Sequence, residues 1–152
     1  MDRKRYADNI EYQRERARKR EREKRATDKG KLDSNISRAM RKSLEVGKKS
    51  RRSWQSIVGY TVGDLMIHLE SQFLPGMTWE NYGEWHIDHK VPLAAHYYET
   101  PDDIDFKKAW AITNLQPLWA TDNISKSDSL SSPFQPSLPL AVNDNTPLKE
   151  AA

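Results

Sequence analysis

The sequence predicts an α+β chain in which helices precede and flank a small mixed core. Three observations predict it. The first 52 residues are strongly basic, with almost nothing apolar in residues 1–28 and a four-residue apolar repeat at Ile36, Met40 and Leu44. Residues 61–73 carry one apolar stripe at 3.6-residue spacing. Residues 85–91 alternate in strand fashion, and an extended segment follows at 114–119. With 152 residues, 36 % of them hydrophobic and 31 % charged, the chain has room for one domain with appendages and a small, local core.

Charge is distributed unevenly. Residues 1–52 hold 20 of the 25 lysines and arginines and 9 of the 22 acids, a net of +11, so the remainder carries −8. A basic arm on an acidic body is the asymmetry expected of an arm that binds polyanions; the alternative is a solvated helix that binds nothing. The chain has no cysteine, which excludes disulfides and thiolate zinc sites. It has no apolar leader-like segment and no run approaching ~18 apolar residues, so a soluble, intracellular protein without a membrane partner is expected. No internal repeat is present, and nothing sets an oligomeric state.

Residues 1–33 read as a basic arm, partly disordered or helical. Glu15 with Lys19 and Glu21 with Arg25 provide favourable i,i+4 pairs. Arg14, Arg18, Arg22 and Arg25 have no base-reading context, so phosphate contacts are expected of them. Asp28-Lys-Gly30-Lys interrupts the pattern. A basic amphipathic helix is predicted over 34–53, from Ser34: Ile36, Met40 and Leu44 line one face, Arg38, Arg41 and Lys42 the other. Gly47 ends it, and Lys48, Lys49, Arg51 and Arg52 extend the basic surface.

Trp54–Tyr60 reads as a connector. Thr61 is a good N-cap with Asp64 three residues on, and Val62, Leu65, Met66, Leu69 and Phe73 trace the buried face of the helix that follows. His68, on the flank of that stripe, reads as a packed or hydrogen-bonded side chain. Trp79, Tyr82 and Trp85 are expected to wall the core. A strand over Trp85–Val91 places Trp85, Ile87 and His89 on one side and His86 and Asp88 on the other. Thr100 with Pro101 and two aspartates signals a short helix to about Trp110; these acids lack the glycine and distal glutamate of a calcium loop. Asn114–Trp119 is extended, Thr121 is expected to cap a last helix bearing Asn123 and Lys126 on one face, and residues 129–152 read as a disordered tail.

Asp88 and His89 at a strand end, with two asparagines downstream, suit phosphodiester hydrolysis. That reaction needs a group to deprotonate water near neutral pH and a cation to offset charge on the phosphate and the leaving oxygen. One carboxylate plus an amide oxygen, completed by waters, is a sparse oxygen site of the magnesium type.

The run His86-Ile-Asp88-His89-Lys-Val-Pro92, then Asn114-Leu, then Asp122-Asn123-Ile-Ser-Lys126, resembles the ββα-metal core of the HNH endonucleases. The words H-L-E-S-Q-F, G-M-T-W-E-N-Y-G and N-L-Q-P-L-W resemble its phage-encoded branch, which implies a phage or prophage source and a host-cytoplasmic location. The resemblance covers residues 54–127, within a predicted nuclease domain of 54–128. It implies His89 as general base, Asp88 and Asn123 as ligands of one Mg²⁺ or Mn²⁺ ion, and Asn114 as the residue bracing the loop and orienting the base. Lys126 would approach the phosphate, and His86 would support the site or contact phosphate. Many members carry two cysteine pairs around a structural zinc; this chain has none, so no structural zinc is expected. Two alternatives stand beside this reading: a DNA-binding or packaging-associated protein on the same fold that no longer cuts, and a zinc site of His86, His89 and His96.

Overall fold

The computed structural model describes residues 3–44, 52–127 and 129. Lys48, Lys49, Arg51 and, Ser129 apart, the tail predicted over 129–152 lie outside the described residues. Among the described residues the chain is α+β, with six α-helices and a two-stranded antiparallel sheet. None of these helices is long and apolar enough to cross a membrane.

Helix α1 (Arg3–Arg25) has no apolar face to bury. Local ion pairs such as Glu21–Arg25 at 2.8 Å support it by a few tenths of a kcal/mol each, and its end is fastened to the next helix. Lys24 pairs with Asp33, and the Ser34 hydroxyl donates to Glu21 at 3.4 Å. Helix α2 (Asp28–Ser43) begins six residues before the predicted start. The Thr27 side chain accepts from the Gly30 amide at 3.1 Å, so a cap, not a break, separates the two helices. Gly30 is buried in the first turn of α2, where a Cβ would lie 1.8 Å from the Lys24 carbonyl oxygen. Glycine is there for the close crossing of two backbones, which is why its helix-breaking character misleads.

The stripe of α2 is fully internal. Leu32, Ile36, Met40 and Leu44 are at most 4 % exposed and join one cluster with Trp54, Leu65, Leu69, Phe106, Trp110 and Leu115. The expected connector at 54–60 contains a helix, α3 (Trp54–Val58), closed by Gly59 at φ +81°. Its Trp54 indole N–H donates to Asp33 at 2.6 Å. Helix α4 (Val62–Glu70) starts in a complete capping box: the Asp64 amide donates to the Thr61 hydroxyl at 3.1 Å, and the Asp64 carboxylate accepts from the Thr61 amide at 2.8 Å. His68 takes the structural role expected of it, with Nε2 2.9 Å from the Leu115 carbonyl.

Phe73, Trp79, Tyr82 and Trp85 form an edge-on aromatic wall, with Trp85 completely buried at its centre. It leads into β1 (Trp85–His89), which ends two residues before the predicted Val91. Strand β1 pairs antiparallel with β2 (Leu115–Trp119), setting Trp85 opposite Trp119 and Asp88 opposite Gln116.

Two later helix starts also differ from expectation. Helix α5 (Ile104–Ala109) is capped at Asp103, not Thr100, because the Asp103 carboxylate accepts from the Glu99 and Thr100 amides and folds that segment into a preceding turn. Helix α6 (Ala120–Lys126) follows directly on β2, so Thr121 lies inside it and Trp119 holds the cap position.

Candidate functional site

The site forms where α6 crosses the sheet. Along β1, His86 and Asp88 point to the side that α6 covers, since residues two apart share a face. Along α6, Asn123 and Lys126 share a face because they are three apart. The two repeats meet: Asn123 Nδ2 lies 3.5 Å from His86 Nδ1, and Lys126 Nζ lies 3.0 and 2.9 Å from the two Asp88 carboxylate oxygens.

Asp88 is only 6 % exposed, and its charge is fully engaged. Besides the Lys126 ammonium it accepts from the Gln116 side chain at 2.8 Å. Lys126 also donates to the His89 carbonyl at 2.5 Å, tying the end of β1 to the last turn of α6. Lys126, expected at a phosphate, therefore sits on Asp88.

His89 projects to the opposite face of β1. Its ring stands edge-on to Trp110 at 4.6 Å, and its buried Nε2 has no hydrogen-bond partner among the described residues. Burial lowers the imidazole pKa to about 4; the Asp88 carboxylate opposes that shift, while His96 and Lys126 add to it. The ring is therefore neutral at pH 7.

Asn114 braces the chain leaving β1. Its Oδ1 accepts from the Val91 amide at 2.9 Å, and its Nδ2 donates to the carbonyls of Val91 at 3.1 Å and Ala109 at 2.8 Å. Its backbone carbonyl accepts from the Lys90 amide at 2.8 Å. Replacing it with Ala removes three partly buried hydrogen bonds and should cost roughly 2–3 kcal/mol. Asn114→Asp should cost at least as much, because an oxygen then faces two carbonyls. Urea unfolding of both variants checks this; a loss confined to Ala would contradict the bonding assigned to Nδ2.

No three His, Cys, Asp or Glu side chains gather as a metal cage among the described residues. His86 and His89, three apart on one strand, face opposite ways, so the zinc alternative with His96 lacks its geometry. A magnesium-type ion asks less of the protein, often one or two carboxylates with waters. The Asp88 carboxylate is of the right type, but the Lys126 ammonium bonds both of its oxygens and would have to give way to an ion.

The basic residues separate into two groups. Arg52 forks onto Asp102 at 3.1–3.2 Å, joining the start of α3 to the turn before α5. Arg14 lies 4.0 Å from Glu11, and Arg25 is bound to Glu21. Arg18, Arg22, Arg38, Arg41 and Lys42 are exposed. Two site contacts lay beyond the sequence reading. Gln116 is found only once the register opposite Asp88 is known, and Trp110 only once α5 folds over β1.

Compared with protein-family models, with curated proteins and with solved structures, the chain finds no match.

Proposed function

We propose that the chain is a metal-dependent endonuclease of the HNH type, phage or prophage encoded, hydrolysing DNA to 5′-phosphate and 3′-hydroxyl ends. The observation that carries this reading is the arrangement at the end of β1: a buried carboxylate on one face, a neutral imidazole on the next residue and the other face, and an asparagine bracing the loop between them and β2.

In this reading His89 accepts the proton of the attacking water through Nε2, which no described residue bonds and which is buried here, so the segment over it must open to admit the water. A pKa near 4 makes a weak base. A phosphodiester brought against the ring adds negative charge and raises it toward the working range. Asp88 and Asn123 would hold Mg²⁺ or Mn²⁺, which supplies charge neutralisation at the phosphate and the departing 3′ oxygen. Asn114 fixes the path of residues 90–92 and with it the orientation of His89. His86 faces the same side as Asp88 and in this reading would donate to a phosphate oxygen, whereas Lys126 would first have to leave Asp88 and the His89 carbonyl, which take its three donors.

One observation favours the second reading, a DNA-binding protein that does not cut: the Lys126 ammonium bonds both oxygens that a metal ion would use. Supercoiled plasmid incubated with Mg²⁺ or Mn²⁺ separates the two. The nuclease reading expects open-circular or linear product that EDTA abolishes. Plasmid retarded in a gel but left supercoiled with either ion would select the non-cutting protein.

A further inference from the structure

We propose that the cleft between the α1–α2 corner and the turn leading into β1 binds the phosphodiester backbone of a nucleic-acid strand. The inference rests on the reading above in one respect, that the strand held there is the one to be cut. The cleft encloses about 360 Å³ and is open to solvent along one side. Arg25, Lys31 and Arg38 are its cationic lining, and Asn35, Tyr82 and His86 line it with polar groups. His86 is the residue beside Asn123, so the cleft opens directly onto the face of β1 that carries Asp88.

Charge selects an anion. Arg38 is exposed and has no acidic partner among the described residues. Lys31 is held only loosely, 3.7 Å from Asp28. Arg25 meets Glu21 through Nε at 2.8 Å, so the terminal nitrogens of its five-donor fork remain to be directed elsewhere. Glu21 is the acid that tempers this lining, and the Ser34 hydroxyl already bonds it.

Geometry selects the backbone over the bases. A base would need an open aromatic face, but the Tyr82 ring is packed against Trp79 and Trp85 with centroids 6.0 and 4.8 Å away. Its hydroxyl oxygen accepts from Asn35 Nδ2 at 3.2 Å, fixing that part of the lining in place. What the cleft offers is two or three cations in a polar trough, which suits successive phosphates and carries no sequence information.

The test uses the full chain and a short fluorescein-labelled DNA duplex, with binding followed by anisotropy in EDTA so that no cleavage intervenes. Lys31→Ala/Arg38→Ala should bind about 10–100-fold more weakly near 0.1 M salt, and its slope of log K against log[salt] should be shallower by about 2. Lys107→Ala/Lys108→Ala removes the same charge from α5, which does not line the cleft, and should leave the slope near wild type. An unchanged slope in the cleft variant, an equal change in the α5 control, or no binding by the wild-type chain overturns the cleft assignment. The nuclease reading is scored separately on plasmid. A chain that binds through the cleft and never nicks loses that reading alone; one that nicks with an unaltered cleft-variant slope loses this one.

Discussion

His89→Ala is expected to lower the rate of plasmid nicking by about 10²–10⁴-fold, the usual contribution of a positioned general base, while DNA affinity in EDTA stays unchanged. The side chain makes no hydrogen bond through Nε2 among the described residues, so removing it breaks no polar contact there. Its edge-on packing against Trp110 is lost, and His89→Gln, which keeps more of the volume, separates packing from proton transfer. Nicking that survives in both variants would remove His89 from the mechanism. The same residue carries a pH signature. Its pKa is near 4 in the folded chain against about 6.5 when unfolded, so between those values the unfolded chain binds a proton that the folded chain refuses. The contribution to stability is present above pH 6.5 and drains away as pH falls toward 4. Between pH 7 and 4.5 the metal-free wild type should lose roughly 2–3 kcal/mol more than His89→Gln in urea unfolding. Equal losses would mean that the ring is not held neutral by burial.

Lys126→Ala should destabilise the metal-free chain by about 2–3 kcal/mol, because it strands a carboxylate that is almost completely buried. The loss falls at the low end for a broken buried pair, since Gln116 still donates to Asp88 and the Lys126 side chain is itself 18 % exposed. Divalent cation should then act more strongly on the variant than on the wild type. In the wild type an ion must displace an ammonium bonded to both oxygens; in Lys126→Ala that competition is gone, and binding to the folded state alone raises the melting temperature. Asp88→Asn in the Lys126→Ala background should recover part of the stability and abolish the Mg²⁺ response. Thermal melts of the three proteins with Mg²⁺ and with EDTA read both effects. Equal Mg²⁺ shifts in wild type and Lys126→Ala would show that lysine and metal do not share Asp88.

The residues that gather at the site were legible because their types and order are unusual together: Asp88-His89, then Asn114, then Asn123 and Lys126. Their faces followed from strand and helix periodicity alone. What stayed hidden depends on distance along the chain. The Asp88–Gln116 pairing is a matter of register, which no local pattern supplies. The fork of Arg52 onto Asp102 joins residues fifty apart and removes from the basic surface an arginine that composition assigns to it. Gly30 looks like a terminator because its need for a close backbone neighbour is invisible until α1 is folded back. Five-residue α3 is too short to show a period. At Asp103 a side chain bonds backward to amides that lie before it, a choice that the same residues could have made forward from Thr100.

The stripe of α2 has a consequence in time. Translation delivers Leu32, Ile36, Met40 and Leu44 early, yet the cluster that covers them includes Phe106, Trp110 and Leu115 from the other end of the domain. Until those residues leave the ribosome, only cluster members such as Trp54, Leu65 and Leu69 are available to cover the stripe, and part of the apolar face of α2 lacks its partners. A nascent chain stalled before residue 106 is therefore expected to expose apolar surface beside basic residues, a liability that ends when β2 arrives.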